Sequence, residues 1–418
     1  MRQEFWQGTN LPRVGGFNRA VVLDAIRANG GVSRVELARR TGLTAQTMSN
    51  IVRALMADGL VTEDGHAPST GGKRRVMLRV VPDAYQSVGL HLDPERITGV
   101  LLDLDGRVRA RSTRRVAAGA SPDAVVGALA RTVGHLVRRS TAASTEDGEV
   151  EGGRVLGVGL AVPGPVDDAH RRVFSPPNLP GWPEVPLADL VEERAGLPVV
   201  MDNDATAAAI GERWSGGAER SGSFVYVYLG SGVGLGVVLG DQVYRGLSGN
   251  AGEVGHLPTG TGKECACGKR GCLEAYCSMR AVVAEWTAAG GAAGGAALSD
   301  AYQRICRDAA RGDVAAARLL RQAASRLGQA LATVVSVLDV DRVVLGGPAL
   351  RHGGEIIRER VRRQLLGQVR AARARPVEVH SALIGEDAGA VGEGHDVCAA
   401  PQDKYLEGVL PTSVAAPL

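Results

Sequence analysis

The chain has 418 residues, 44% of them hydrophobic and 22% charged, which fits a soluble globular protein of two or three domains. No apolar run reaches the ~18 residues of a membrane span, and "MRQEFWQGTNLPRVGG" lacks an apolar signal core, so a cytoplasmic protein with no membrane role is expected. Net charge is +3, but residues 1–82 hold 12 Lys/Arg against 6 Asp/Glu and the remainder holds 36 against 39. The basic excess therefore lies wholly in the N-terminal fifth and points to an anionic partner for that part, a solvated face being the plainer alternative.

In chain order, "FNRAVVLDAIRANG" carries Phe17, Val21, Val22, Ala25 and Ile26 at helical spacing and closes on Asn29-Gly30. "SRVELARRTG" opens on Ser33 with Glu36 three residues later, a capping box, and predicts a short helix ending at Gly42. "TAQTMSNIVRALMADG" has Thr44 as N-cap, an apolar stripe of Met48, Ile51, Val52 and Leu55, and a stop at Gly59. Two short helices around "TGL" match a helix-turn-helix. "LVTED", "GHAPSTGGKRR" and "VMLRVVP" then read as strand, Gly-rich turn and returning strand, a wing tipped by Lys73, Arg74 and Arg75. Gln46, Thr47, Ser49, Asn50 and Arg53 lie on the non-core face of the second helix, where side chains can meet base edges or phosphates of double-stranded DNA. The basic wing tip can neutralise phosphates or enter the minor groove. A protein-binding winged helix is the competing reading of this pattern.

Beyond residue 82, "YQSVGLHLDPERITGVLLDLDGRVRARSTRRV" alternates apolar and polar residues with a turn at Asp105-Gly106. An amphipathic helix, "SPDAVVGALARTVGHLVRRS", follows. "RVLGVGLAVPGPV" and "LPVVMDND" read as strands, and "SFVYVYLGSGVGLGVVLG" as strand, Gly-rich turn and strand. "WTAAGGAAGGAALSD" reads as a flexible loop. A long helix, a strand and the pair Gly346-Gly347 come later, in "AAARLLRQAASRLGQALATVVSVLDVDRVVLGGPA". Alternating strands and helices give an α/β body with mixed sheets.

Three groups of residues carry chemistry. Of the six Cys, Cys265, Cys267 and Cys272 sit on a tight Gly-rich knuckle with His256 nine residues upstream, a Cys3His set suited to one structural zinc per chain; buried free thiols are the alternative. "LGSGVGLG" offers backbone N–H groups to phosphate, although Gly-rich hairpin turns are common. Asn203, Asp204, Glu253, His256 and Glu274 combine carboxylates, an amide and an imidazole, which suits a ligand bearing paired hydroxyls.

These residues together resemble the ROK family of sugar-responsive repressors and sugar kinases, over roughly residues 17–393. The resemblance rests on "VPGPVD" (162–167), "PNLPGW" (177–182), "NDAT" against the family's NDAN, "LGSGVGLG", "AGEVGH" (251–256), "CACGKRGCLEAY" and "VVLGGPA". It implies a two-lobed actin-like (ribonuclease H-like) ATPase fold behind the winged helix. It further implies that Asn203, Asp204, Glu253, His256 and Glu274 hold a sugar, and that His256, Cys265, Cys267 and Cys272 hold zinc. The domains are then 1–82 (winged helix), 83–200 (small lobe), 201–393 (large lobe, with a C-terminal helix returning to the small lobe) and 394–418 (a partly disordered tail). Kinases of the family open on D-x-G-G-T, whereas "GLHLDPERITG" puts His91 in place of the Asp and Asp93-Pro94-Glu95 in place of Gly-Gly-Thr. Pro94 removes an N–H donor and Glu95 adds negative charge, and both oppose ATP binding. Thr206 replaces the second Asn of NDAN.

The expected function is a repressor of carbohydrate uptake or metabolism genes, binding operator DNA as a homodimer or homotetramer and controlled by a sugar or sugar phosphate. No catalytic residue is expected. The alternatives are an ATP-dependent sugar kinase, with Asp204 as the base, and a regulator controlled by a protein partner.

Overall fold

A computed structural model describes residues 11–28, 30–66, 75–142, 154–167, 171–176, 179, 181–216, 222–292, 297–369 and 375–399. The first body holds α1 (Leu11–Ala28), β1 (Val32–Ser33), α2 (Arg34–Thr41), α3 (Ala45–Ala57), β2 (Val61–His66) and β3 (Val76–Val80), with its antiparallel sheet in the order β1-β3-β2. The short strand β1 has no alternation to announce it; α1 starts at Leu11, ahead of the apolar stripe. Ser33 caps α2 by accepting from Glu36 N, but the Glu36 carboxylate turns to Arg39 and Arg40, so only half of the capping box forms. Thr44 caps α3 from Thr47 N, and Gly59, at φ +72°, lets Leu60 N reach Leu55 O beyond the helix end. Met48, Val52 and Leu55 are fully buried with Val22, Ile26 and Leu37. Lys73, Arg74 and the wing tip lie outside the described residues.

The second body contains β4 (Tyr85–Asp93), β5 (Arg96–Asp103), β6 (Val108–Arg115), α4 (Pro122–Ala142) and β7 (Arg154–Val162). A small sheet of β8 (Val166–Asp167), β9 (Arg172–Phe174) and β10 (Glu184–Val185) comes next, then α5 (Leu187–Ala195) and β11 (Val199–Asn203). The third body runs from α6 (Asp204–Ser215) through β12 (Phe224–Leu229), β13 (Val233–Leu239), β14 (Gln242–Val243), α7 (Glu274–Cys277), α8 (Met279–Ala288), α9 (Leu298–Ala310) and α10 (Val314–Leu338). It continues with β15 (Arg342–Gly346), α11 (Leu350–Gln368) and β16 (Glu378–Ser381), and α12 (Ala388–Ala399) closes the described chain.

The two lobes repeat one plan. Their sheets have the orders β6-β5-β4-β7-β11 and β14-β13-β12-β15-β16, each an antiparallel meander joined to two parallel strands. The first hairpin of each meander, at Pro94-Glu95 and at Gly230–Gly232, therefore occupies the same topological place in its lobe. Strand β11 completes the first sheet, so that lobe reaches Asn203 rather than residue 200. The expected tail boundary at 394 falls inside α12, which is packed through its end: His395, Val397 and Cys398 are buried. The helix can lie this close because Gly89 and Gly159 face it; a Cβ on either would strike the backbone oxygen of Ala390 or Glu393. Residues 400–418 lie outside the described residues, as do 293–296 of the expected Gly-Ala loop.

Candidate functional site

The outer face of α3 is polar and held by its own side chains. Gln46, Asn50 and Arg53 are exposed, and Asn50 Oδ1 accepts from Gln46 Nε2 at 3.3 Å and from Arg53 at 3.3 Å. Thr47 Oγ1 lies 2.9 Å from the N-cap hydroxyl of Thr44, and Ser49 Oγ donates to Ala45 O at 2.8 Å. Gln46, Asn50 and Arg53 are thus the exposed groups of this face, tied to one another along the helix, whereas Thr47 and Ser49 serve the helix first. Arg75 is exposed at the foot of the wing.

The cleft between the lobes gathers the second set of residues. Asn203 is the N-cap of α6, with Oδ1 accepting from Ala205 N at 2.9 Å and Thr206 N at 3.4 Å. That fixes the amide and leaves Nδ2 for the cleft, where Gly164 of the "VPGPVD" loop sits against it and against Glu253 Oε1. Glu274 Oε2 accepts from Val233 N at 3.0 Å and lies over Gly255, and His256 Nε2 is 3.7 Å from Glu253 Oε2. Asp204 opens α6 behind the cap. Burial and the neighbouring carboxylates Asp93, Glu253 and Glu274 push its pKa up to about 8. All five expected residues therefore converge. Two participants were missed. Asn250 clamps the Val166 backbone through both of its amide atoms (2.8 and 2.6 Å), and Asp93 reaches Asp204 only because the lobes face each other. Thr206 is buried, with Oγ1 unpartnered among the described residues.

The donor atoms of His256, Cys265, Cys267 and Cys272 all lie within 4.8 Å of one another. Cys267 and Cys272 sulfurs are 3.7 Å apart, as are Cys265 Sγ and His256 Nδ1. A tetrahedral site with Zn–S of about 2.3 Å and Zn–N of about 2.0 Å has edges of about 3.5–3.8 Å, so the four donors could hold a metal ion. The imidazole would then be fixed between the metal on Nδ1 and Glu253 on Nε2.

The two equivalent hairpins differ in chemistry. At β12–β13, Gly230 N donates to Gly232 O, and the turn carries no charged side chain. At β4–β5, His91 is buried against Tyr228 with ring centroids 5.7 Å apart, and burial lowers its pKa to about 4, so the ring is neutral. The Glu95 carboxylate does not stand open in the cleft: it accepts from Leu298 N at 2.7 Å and Ser299 N at 3.3 Å, capping α9 from the opposite lobe. Helix α9 has no cap of its own at Ala297, and an anion is favoured at that end. Beside this contact lies a cavity of about 570 Å³ lined by residues of both lobes, among them Asp93, Arg115, Ser231 and Arg280.

Comparison with known proteins agrees with this architecture. The ROK family profile matches residues 87–395 and the MarR family profile residues 16–75. The xylose repressor of Bacillus subtilis (strain 168) is 29% identical over 376 residues, covering 90% of this chain and 93% of that protein. A glucokinase of Streptomyces coelicolor is 31% identical over 319 residues, covering 73% of this chain and 95% of that protein. The crystal structure of a ROK family transcriptional regulator, a homologue of the E. coli MLC protein, superposes with a TM-score of 0.77 over 94% of this chain and 98% of that chain; at 23% identity it shows the shared fold. The chain belongs to the ROK family, with a MarR-type winged helix joined to the N-terminal side of its ROK body.

Proposed function

We propose that this protein is a sugar-responsive transcriptional repressor: its winged helix binds operator DNA, and a sugar in the interlobe cleft controls that binding. The observation that carries this reading is the joining of two binding surfaces in one chain. An exposed polar helix face, on a basic body, shares a hydrophobic core with a domain whose cleft holds hydroxyl-binding groups. Asp204, Glu253 and Glu274 supply acceptors, Asn203 Nδ2 a donor, and His256 orients Glu253. Burial first, and neighbouring carboxylates after it, raise the pKa values of Asp204 and Glu253, so negative charge is already disfavoured here and a neutral sugar suits the cleft better than a sugar phosphate. Gln46, Asn50 and Arg53 would read base edges, and Lys73, Arg74 and Arg75 would meet phosphates. Operator binding through two recognition helices requires at least a homodimer, which places half-sites about one helical turn or a multiple of it apart.

His256, Cys265, Cys267 and Cys272 would hold one structural zinc. Its chemistry is to close the 256–272 knuckle as a tetrahedral crosslink, and so to steady Glu253 at one end and Glu274 at the other. No helix among the described residues is long and apolar enough to cross a membrane, in keeping with work on cytoplasmic DNA.

A kinase reading is favoured by one observation, the retained Gly-rich turn at 230–232. Against it stand a neutral, buried His91, an N–H lost at Pro94, and a Glu95 that already fills the α9 N-terminus where phosphate could be received. The test is operator binding by fluorescence anisotropy with and without neutral sugars, alongside ADP release from ATP with the same sugars. The reading expects a sugar-dependent change in operator affinity and no turnover. Turnover that is lost in Asp204→Asn would replace it by the kinase reading.

A further inference from the structure

The winged helix touches the body at a built joint. Leu104, from the β5–β6 turn, and Cys398, from α12, belong to the same buried cluster as Val22, Ile26 and Leu37, so the DNA-binding body is not a bead on a tether. Beside that shared core, Arg27 near the end of α1 is almost wholly buried, its side chain only 6% exposed. Its guanidinium lies 3.8 Å from the centre of the Trp214 ring and 2.8 Å from His395 Nδ1. The His395 ring lies near parallel to Trp214, with ring centroids 5.9 Å apart at 23°, and a Cβ at Gly106 would strike its imidazole. Asp24, at 3.4 Å, is the carboxylate paired with Arg27. A desolvated cation of this kind depends on the ring face beneath it and on the neutral imidazole beside it.

The same joint is connected to the cleft by two lines. Trp214 is the penultimate residue of α6, whose first residue is Asp204 and whose cap is Asn203, so one helix about 16–18 Å long has the sugar-side groups at one end and the arginine seat at the other. Helix α6 packs closely on α12: a Cβ at Gly392 would lie 1.7 Å from Ala207 O, and one at Gly211 would lie 2.7 Å from Ala388 O. The two backbones touch along this contact. The second line is ionic. Asp202, next to Asn203, accepts from Arg245 Nε at 2.6 Å, and Arg245 reaches Asp396, the neighbour of His395, at 3.3 Å. Arg245 begins the segment that carries Asn250 and Glu253.

We propose that Trp214 and His395 are positioning residues that carry the state of the cleft to the DNA-binding domain by seating Arg27. This rests on the sugar-responsive reading above. Groups on both sides of the cleft converge on one stack, and a shift of α6 relative to β11, or of the 245–253 segment, moves the seat under α1 and hence the angle of the recognition helix. Coupling of this kind requires that the two cleft states seat Arg27 differently, since a ligand moves an equilibrium only by its differential affinity for the two states.

The experiment uses the full chain and an operator selected by the wild type from random duplexes. Sugar affinity is measured by calorimetry with a panel of neutral pentoses and hexoses beginning with D-xylose and D-glucose. Operator affinity is measured with and without the sugar that binds. The proposal expects Trp214→Leu to keep sugar affinity and sugar-free operator affinity within about threefold while the sugar-dependent change falls from at least tenfold to below twofold. Trp214→Phe, which keeps a ring face, restores most of that change, and Arg27→Met reproduces the loss from the other side of the contact. A coupling within twofold of wild type in both Trp214→Leu and Arg27→Met overturns the proposal. A wild-type chain that binds none of the panel, or binds a sugar with no effect on operator affinity, overturns the functional reading and the proposal with it.

Discussion

The recognition face of α3 and the cleft at the head of α6 are both polar surfaces on helix beginnings, yet they are held in opposite ways. On α3 the polar groups are exposed, and they satisfy one another along the helix. Nothing there is strained by the absence of a partner. In the cleft, Asp204 is surrounded by three more carboxylates and has lost much of its water, so its ionised form costs stability. A surface that waits for DNA can be complete in itself, because phosphate attraction acts at long range and is tuned by salt. A pocket that gathers buried carboxylates for a hydroxyl-bearing ligand holds them at the expense of stability.

That contrast can be broken at several points. The first is the knuckle that supports the cleft. Cys267→Ser removes one of four donors, and elemental analysis should fall from about one zinc per chain to well below one, with sugar affinity down by roughly tenfold or more through Glu253 and Glu274. Retention of a full equivalent of zinc would remove the metal from the account.

Asp204→Asn separates binding from stability. Sugar affinity at pH 8 should fall about 100-fold or more, since the amide lacks the charge that strengthens a hydroxyl's bond to the carboxylate, while the melting temperature at that pH rises by roughly 2–6 °C. The sign follows from the raised pKa. The folded state holds a proton that the unfolded state releases near pH 4, so this group's contribution to stability falls as pH rises from about 4 to about 8 and is level above that. The Asn variant should lack that part of the pH dependence. A variant less stable than wild type at pH 8 would show that the neighbours of Asp204 already satisfy its carboxylate.

On α3 the opposite pattern is expected. Arg53→Ala should weaken operator binding about tenfold and lower the slope of log affinity against log salt by about one if it meets a phosphate, with sugar affinity unchanged and melting within about 1 °C. Asn50→Ala should alter base preference more than overall affinity. A large loss of stability in either would mean that the face is structural.

The smallest effect is expected at the interlobe tie. Glu95→Gln keeps an acceptor for Leu298 N and Ser299 N but removes the charge from the α9 N-terminus, which should cost about 0.5–1 kcal/mol and lower melting by roughly 1–3 °C. ATP turnover appearing in this variant would show that Glu95 alone blocks phosphate.

The winged helix was readable because its determinants are local. Caps at Ser33 and Thr44 and stops at Gly42 and Gly59 lie within a few residues of the helices they bound, and the structure places them there. The cleft residues were readable from motifs, since "NDAT", "AGEVGH" and the Cys cluster each occupy a short stretch. What periodicity and motif did not reveal is non-local. Glu95 meets α9 across 203 residues, and Arg27 meets His395 across 368. The "HLDPER" segment was expected to repel phosphate with an open carboxylate; the structure gives that carboxylate to a helix end whose position depends on how the lobes close. The tail boundary erred for a related reason: "GHDVCA" has no strong helical stripe, and α12 persists because glycines on its neighbours allow close backbone contact.

The central claim, that a sugar in the cleft controls DNA binding with no phosphoryl transfer, is tested most directly by operator affinity at saturating neutral sugar. The account predicts a change of at least tenfold that disappears in Asp204→Asn, with no ADP released from ATP under the same conditions. An operator affinity constant to within twofold for every sugar that binds, or sugar-dependent turnover of ATP, would contradict it.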